Sequence, residues 1–184
     1  MTSLVLQKAN DETENLLISD ALAGDCGALE RVALSWSDKK LIEGYDLEKG
    51  YFEKCINQGD LPPVTNANKR NYRLKAIYLK KEKSLIGFFD LYYGYPSADC
   101  VWISIFVIDS PFRKQGYAQE VIRFLKRRCK SEGFLKIGIG VYLNNWRALR
   151  FWTKAGFVKI MGVNCDGDYQ KNKFATIKLE LDLK

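Results

Sequence analysis

Residues 107–118, VIDSPFRKQGYA, constrain this chain more than any other segment. An apolar strand ends there and a short turn follows. Arg113, Gly116 and Ala118 then stand at R-x-x-G-x-A spacing, just ahead of an amphipathic helix. That order builds a cradle for a pyrophosphate. Small residues let the backbone approach the anion, and successive N–H groups at a helix N-terminus point at it. The spacing is neither G-x-G-x-x-G nor a loop closed by Gly-Lys-Ser/Thr, so it matches neither the dinucleotide fingerprint nor a Walker A loop. The preceding segment, residues 100–108 (CVWISIFVI), reads as one apolar strand. The following helix carries Ala118, Val121, Ile122, Leu125 and Cys129 on one stripe and Arg123, Lys126, Arg127 and Lys130 on the other face.

A second segment, residues 145–157 (NWRALRFWTKAGF), supplies Asn145, Ala148, an aromatic pair at Phe151 and Trp152, and Gly156-Phe157 opening a strand. The two segments together resemble the signatures of the GNAT superfamily of N-acetyltransferases, Q/R-x-x-G-x-G/A followed by Asn-x-x-Ala, aromatics and Gly-Phe. The resemblance covers residues 72–183. It implies an α/β (α+β) fold, with a mixed central sheet of six to seven strands flanked by helices. It also implies acetyl-CoA as co-substrate and no metal. Residues 1–70 correspond to the variable helical region on the acceptor side of a single domain spanning 1–184.

The resemblance further implies that two parallel strands, residues 100–108 and Lys136–Tyr142, splay apart to admit the pantetheine arm. Its amides would pair with the backbone of Phe106, Val107 and Ile108 as an added strand. Arg113, Lys114, Gln115, Gly116, Tyr117 and Ala118 would hold the pyrophosphate, mainly through main-chain N–H groups. Asn145, Phe151 and Trp152 would border the CoA arm, although Asn145 also reads as a helix N-cap. One position departs from the family. The second aromatic is often a tyrosine that returns a proton to the CoA thiolate, and here it is Trp152, whose indole N–H is a poor acid. Tyr142, at the end of its strand, is the substitute donor.

An acceptor amine with a pKa of about 10 must lose a proton before it attacks a thioester. The chain has no histidine, which leaves carboxylates for that task. Asp90 sits in LIGFFDLYY, apolar on both faces, where burial raises a carboxyl pKa. Glu43 lies in the acceptor-side region, and Asp99 and Glu53 are lesser candidates. Alternation places Trp102, Ser104 and Phe106 on one face of their strand and Val101, Ile103, Ile105 and Val107 on the other. Tyr92, Tyr93 and Tyr95 are candidates for shaping the acceptor pocket.

Composition bounds the alternatives. A 184-residue chain with 47% hydrophobic residues is long and apolar enough for one substantial core. No apolar run approaches the ~18 residues that span a bilayer, and the N-terminus lacks the pattern of a signal peptide. The five cysteines are scattered, which fits free thiols in a reducing cytoplasm. The net charge of +7 suits a polyanionic ligand such as CoA. It also keeps a basic nucleic-acid-binding protein as a weaker competitor. A further alternative is a GNAT-like module that binds acyl-CoA as a sensor without turnover. A homodimer is compatible with the sequence.

Along the chain, strands are expected over residues 2–9, 73–80, Leu85–Tyr93, 100–108, Lys136–Tyr142, 157–164 and 176–183. Helices are expected over 11–23, 28–36, 47–58, after Gly116, and over 145–155. Residues 60–71, DLPPVTNANKRN, read as a loop, expected either to be mobile or to lie over the active site.

Overall fold

The structure is a computed structural model, and it describes residues 11–165 and 174–184. The strand expected over 2–9 and the Asp166–Gly167–Asp168 connection lie outside the described residues. Where helical spacing predicts a helix over 11–23, the chain instead forms a hairpin of β1 (Asp11–Glu12) and β2 (Leu16–Asp20). Leu16 and Ile18, two residues apart, are both buried, and β2 pairs along its whole length with β3 (Tyr72–Leu79). Period-two alternation and sheet pairing override the weaker helical pattern.

Three helices follow: α1 (Cys26–Leu34), α2 (Lys39–Glu43) and α3 (Tyr51–Asn57). The short α2 falls between the two helices that the sequence pattern marks. β3 and β4 (Leu85–Tyr93) form the expected hairpin. The strand expected over 100–108 is broken into β5 (Cys100–Ile103) and β6 (Phe106–Ile108), both antiparallel to β4. Then come α4 (Tyr117–Ser131), β7 (Lys136–Tyr142), α5 (Trp146–Lys154), β8 (Lys159–Cys165) and β9 (Ala175–Asp182). The sheet order is β1-β2-β3-β4-β5-β7-β9-β8, with β6 beside β4. The nine strands among the described residues exceed the expected six to seven because one strand splits and the N-terminal hairpin adds to the edge.

Apolar clusters cover both faces of the sheet. One includes Phe89, Val101, Ile103, Leu125, Ile137, Ile139, Trp152 and Phe157, under α4 and α5. The other includes Leu29, Val32, Phe52, Tyr72, Phe88, Tyr92 and Val107, under α1 and α3. The break between β5 and β6 corrects the expected alternation. Phe106 packs with Val101 and Ile103 in the first cluster, and Ile105 and Val107 join Trp102 in the second. The register explains the swap. Between the pairs Tyr92–Trp102 and Phe89–Phe106, two residues of β4 face three of the opposite strand. That is a one-residue β-bulge, and one extra residue exchanges the faces.

The glycines of KIGIGVY in β7 have a packing reason. A Cβ on Gly138 would lie 2.7 Å from the Trp102 ring, and one on Gly140 would lie 3.5 Å from it. The indole lies across β7 because those positions carry no side chain.

Candidate functional site

The parallel ladder between β5 and β7 runs from Cys100–Lys136 to Ile103–Ile139 and stops. Beyond it, β6 pairs only with β4, and residues 140–142 of β7 pair only with β9. The gap expected between these strands is therefore present, on the far side of the bulge. A cleft of about 600 Å³ opens there, walled by residues 103–108 on one side and Ile139, Gly140, Val141 and Tyr142 on the other. Asn145, Ala148 and Trp152 of α5 and Arg113 complete that end. Trp36, α2, Tyr45, Tyr51 and Asp60 line the opposite end.

The loop after β6 is braced by its own side chains. The Arg113 guanidinium donates to the Ile108 carbonyl at 2.8 Å and to the Ser35 carbonyl at 3.0 Å, tying the loop to the ends of β6 and α1. The Gln115 amide donates to the Pro111 carbonyl at 2.8 Å. Lys114 (φ +63°) and Gly116 (φ +92°) both adopt left-handed backbone, and Gly116 leads directly into α4. No side chain caps the N-terminus of this 15-residue helix, so the N–H groups of Tyr117 and Ala118 start a turn with positive dipole and no internal acceptor. The basic face of α4 is partly committed elsewhere. Lys126 donates to the Ala155 carbonyl, and Arg128 pairs with Glu132 and Asp11.

Asn145 caps α5, its side-chain oxygen accepting from the Ala148 N–H at 3.1 Å, while also lining the cleft. Trp152 is buried among Phe106, Phe151 and Phe157 at ring distances of 5.7, 5.0 and 4.9 Å. Phe151 backs Phe106 from behind the cleft wall.

The three catalytic candidates are not brought together. Glu43 lines the cleft and pairs with Lys39 at 2.5 Å. The Lys39 ammonium is itself buried, over the Tyr45 ring at 4.0 Å and the Trp36 ring at 5.5 Å. Tyr142 lines the cleft, with its hydroxyl 3.4 Å from that of Tyr45. Burial and the neighbouring Tyr142 and Glu43 push the Tyr45 phenol above its ordinary range.

Asp90 is fully buried beneath the bulge and is not part of the cleft wall. One carboxylate oxygen accepts from the Ser104 N–H at 2.7 Å and the Ile105 N–H at 3.0 Å. The other has no hydrogen-bond partner. Burial raises this carboxyl to about 7 despite those two bonds, and the Asp60 charge adds to the rise.

Tyr92, Tyr93 and Tyr95 do not line the cleft. The Tyr92 hydroxyl accepts from the Asn68 N–H, Tyr93 packs on Phe134, and Tyr95 packs on Trp102. Asp99 pairs with Lys136, and Glu53 stands outside the cleft. Of the loop over 60–71, only Asp60 reaches the cleft, where it accepts from the Tyr51 hydroxyl at 2.9 Å.

Sequence reasoning missed Asp60, Tyr51, Tyr45 and Arg147. Tyr45, Tyr51 and Asp60 stand in no motif, Arg147 fills an unspecified position of the Asn-x-x-Ala segment, and only the fold brings them to the cleft. The region around α2 bridges the two splayed walls. Asp38 pairs with Arg147 at 2.8 Å, and the Ile42 carbonyl accepts from the Asn144 amide at 3.0 Å.

Comparison with known proteins fits this geometry. Residues 41–157 match the model of the acetyltransferase (GNAT) family. A Bacillus anthracis acetyltransferase of the GNAT family superposes with a TM-score of 0.69 at 18% identity, over 94% of this chain and 97% of that one. The ribosomal-protein-S18-alanine N-acetyltransferase of Escherichia coli gives 0.63 at 14% identity, over 91% and 94%. A Bacillus subtilis acetyltransferase in complex with CoA gives 0.57 at 16% identity, over 91% and 97%. A search of curated protein sequences found no match. With well over half its length matched by the family model, and with the strand gap and helix N-terminus described above, this chain belongs to the acetyltransferase (GNAT) family.

Proposed function

We propose that this chain is an acetyl-CoA-dependent N-acetyltransferase that acts on a primary amine by direct attack in a ternary complex. The observation that carries this reading is the unzipped gap between β6 and β7, ending at the uncapped N-terminus of α4. The pyrophosphate would rest on residues 113–118. The pantetheine arm would run along Phe106, Val107 and Ile108, bordered by Asn145 and Trp152 and backed by Phe151.

In the reaction, the amine nitrogen attacks the thioester carbonyl carbon, and the C–S bond breaks as the tetrahedral intermediate collapses. Backbone N–H groups near Phe106–Ile108 polarise the carbonyl oxygen. Holding both substrates in one cleft supplies much of the rate. The amine proton passes to a carboxylate. Glu43 lines the cleft and is the candidate that an acceptor reaches directly, whereas Asp90 is sealed beneath the bulge and could take a proton only through an intervening group. Tyr142 lines the cleft with Tyr45 beside it and is the candidate phenol for returning a proton to the CoA thiolate. The thiol's pKa of about 8.5 also makes the thiolate a tolerable leaving group without such help. Asp46, Glu48 and Asp60 at the opposite end of the cleft suit a cationic acceptor, in a chain that is basic overall.

The test is thiol release from acetyl-CoA across a panel of amines, with CoA binding measured by calorimetry on the same sample. Turnover on one acceptor class supports the transferase and names its substrate. Binding of CoA without turnover favours the acyl-CoA sensor. Absence of CoA binding overturns both.

A further inference from the structure

The gap between β6 and β7 exists because one strand changes direction, and the residues at that change are held by one side chain. Two residues of β4, Asp90 and Leu91, face three residues of the opposite strand, Ile103, Ser104 and Ile105. The last parallel pair with β7, Ile103–Ile139, sits at the first of these three. From the next residue onward the strand leaves β7. A bulge bends its strand and releases N–H groups from the regular ladder. Ser104 is exposed and Ile105 half-buried, but their released N–H groups turn inward and need acceptors there. Here Asp90 supplies them. Its carboxylate accepts from both Ser104 and Ile105, and its own N–H donates to the Ile105 carbonyl at 3.1 Å. One residue of β4 therefore holds the bulge through three hydrogen bonds, from beneath a cleft that it does not enter.

We propose that Asp90 is a positioning residue for the acyl-CoA slot, its carboxylate locking the Ser104–Ile105 bulge so that β6 stays parted from β7. This rests on the acyl-CoA reading of the cleft given above. The charged carboxylate is the stronger acceptor, since hydrogen bonds to an ionised group are about twice as strong as neutral ones. The groups around Asp90 are neutral or acidic: Tyr51 and Cys55 on α3, Tyr72 on β3, and Asp60 beyond them. Neither the second carboxylate oxygen of Asp90 nor the Tyr72 hydroxyl has a hydrogen-bond partner. What favours the ionised Asp90 is the two N–H groups of the bulge, helped by the Ser104 hydroxyl. Protonation near neutral pH therefore loosens the clamp, and the slot becomes pH-sensitive through a residue that never touches ligand.

The test compares wild type, Asp90→Asn and Asp90→Ala, with CoA affinity by calorimetry at about pH 8 and about pH 6 and amide exchange at Ser104 and Ile105 by NMR. Asp90→Asn keeps an acceptor oxygen in place and is expected to bind CoA within about threefold of wild type at the higher pH. Asp90→Ala is expected to bind at least about tenfold more weakly, the loss of roughly 1.4 kcal/mol. It should also expose the Ser104 and Ile105 amides to exchange while the β3–β4 amides stay protected. From the higher to the lower pH, wild type should lose several-fold more affinity than Asp90→Asn. CoA's own phosphates titrate equally in both proteins and cancel.

A folded Asp90→Ala protein with wild-type affinity overturns the proposal, as does an identical pH dependence in wild type and Asp90→Asn. Should Asp90→Ala fail to fold, the wild-type and Asp90→Asn pair still decides. Failure of wild type to bind CoA would defeat the acyl-CoA reading instead. The exchange rates at Ser104 and Ile105 would then decide the clamp separately.

Discussion

Asp90 carries a thermodynamic consequence apart from any ligand. Its carboxyl is raised from the ordinary range to about 7 by burial, with the Ile105 and Ser104 N–H groups opposing and Asp60 assisting. Between roughly pH 4 and pH 7 the folded protein holds a proton there that the unfolded chain releases. Stability contributed by this group therefore falls as pH rises through that window and levels off above it. The total fall across that window is on the order of a few kcal/mol. Asp90→Asn is expected to remove it, and melting temperatures measured across that range for both proteins check this. The same ionisation that strengthens the bulge therefore costs folding stability.

Gly116 is a second single-residue lever. Its φ of +92° places it where a Cβ is penalised, although the space around it is open. Gly116→Val should cost about 1–2 kcal/mol through the backbone alone and weaken CoA binding about tenfold in calorimetry. Unchanged affinity would mean that the anion rests elsewhere.

At the level of elements, α5 separates packing from chemistry. Trp152 fills an aromatic cluster against Phe106 and Phe157. Trp152→Phe is expected to keep turnover within a few-fold, whereas Trp152→Ala should cost about 3–5 kcal/mol in denaturant unfolding. A large drop in kcat for a stable Trp152→Phe protein would give the indole a chemical role. The elements legible in the sequence were those with one dominant signal. β4 and β7 fall where their apolar runs place them, and α4 starts at the glycine that its motif marks. The bulge was not legible, because CVWISIFVI is apolar but for Ser104, and a single serine does not mark a change of face. Nor was the hairpin over residues 11–20, where Leu16, Leu17 and Ala21 mimic a helical stripe. The extended pairing of β2 with β3 is a long-range fact.

Across the whole molecule, the N-terminal hairpin is tied to the N-terminal end of α4 by a buried acid. Glu120, in the first turn of α4, accepts from the Thr13 hydroxyl, from the Asn15 N–H at 2.7 Å and from the Asn15 amide at 3.0 Å. Burial alone would raise its pKa, yet these bonds and Arg123 hold it below the ordinary range. Its stabilising contribution is therefore present at neutral pH and lost as acid brings the pH down through that depressed value. Glu120→Ala should lower stability by about 1–3 kcal/mol at neutral pH and reduce the sensitivity to acid. Urea unfolding of both proteins at about pH 7 and about pH 4 checks it. The acceptor end of the cleft was the least legible part. Tyr45, Tyr51 and Asp60 come from three separate segments, and only packing brings them together.

Length matters more at one place in this chain than side-chain identity does. The bulge lets Trp102 and Val107 face one core while Ile103 and Phe106 face the other. Deleting Ser104 alone would leave every other residue intact. Yet it would bring the count opposite Asp90 and Leu91 to two against two. That is a regular ladder, which keeps Trp102 opposite Tyr92 and Phe106 opposite Phe89 with their faces unchanged and removes only the bulge that turns the strand away from β7. A chain shortened by one residue between Lys81 and Ser84, in the β3–β4 turn, should still fold. The same deletion at Ser104 should also fold but lose CoA affinity in calorimetry, because what it removes is the bend that parts β6 from β7.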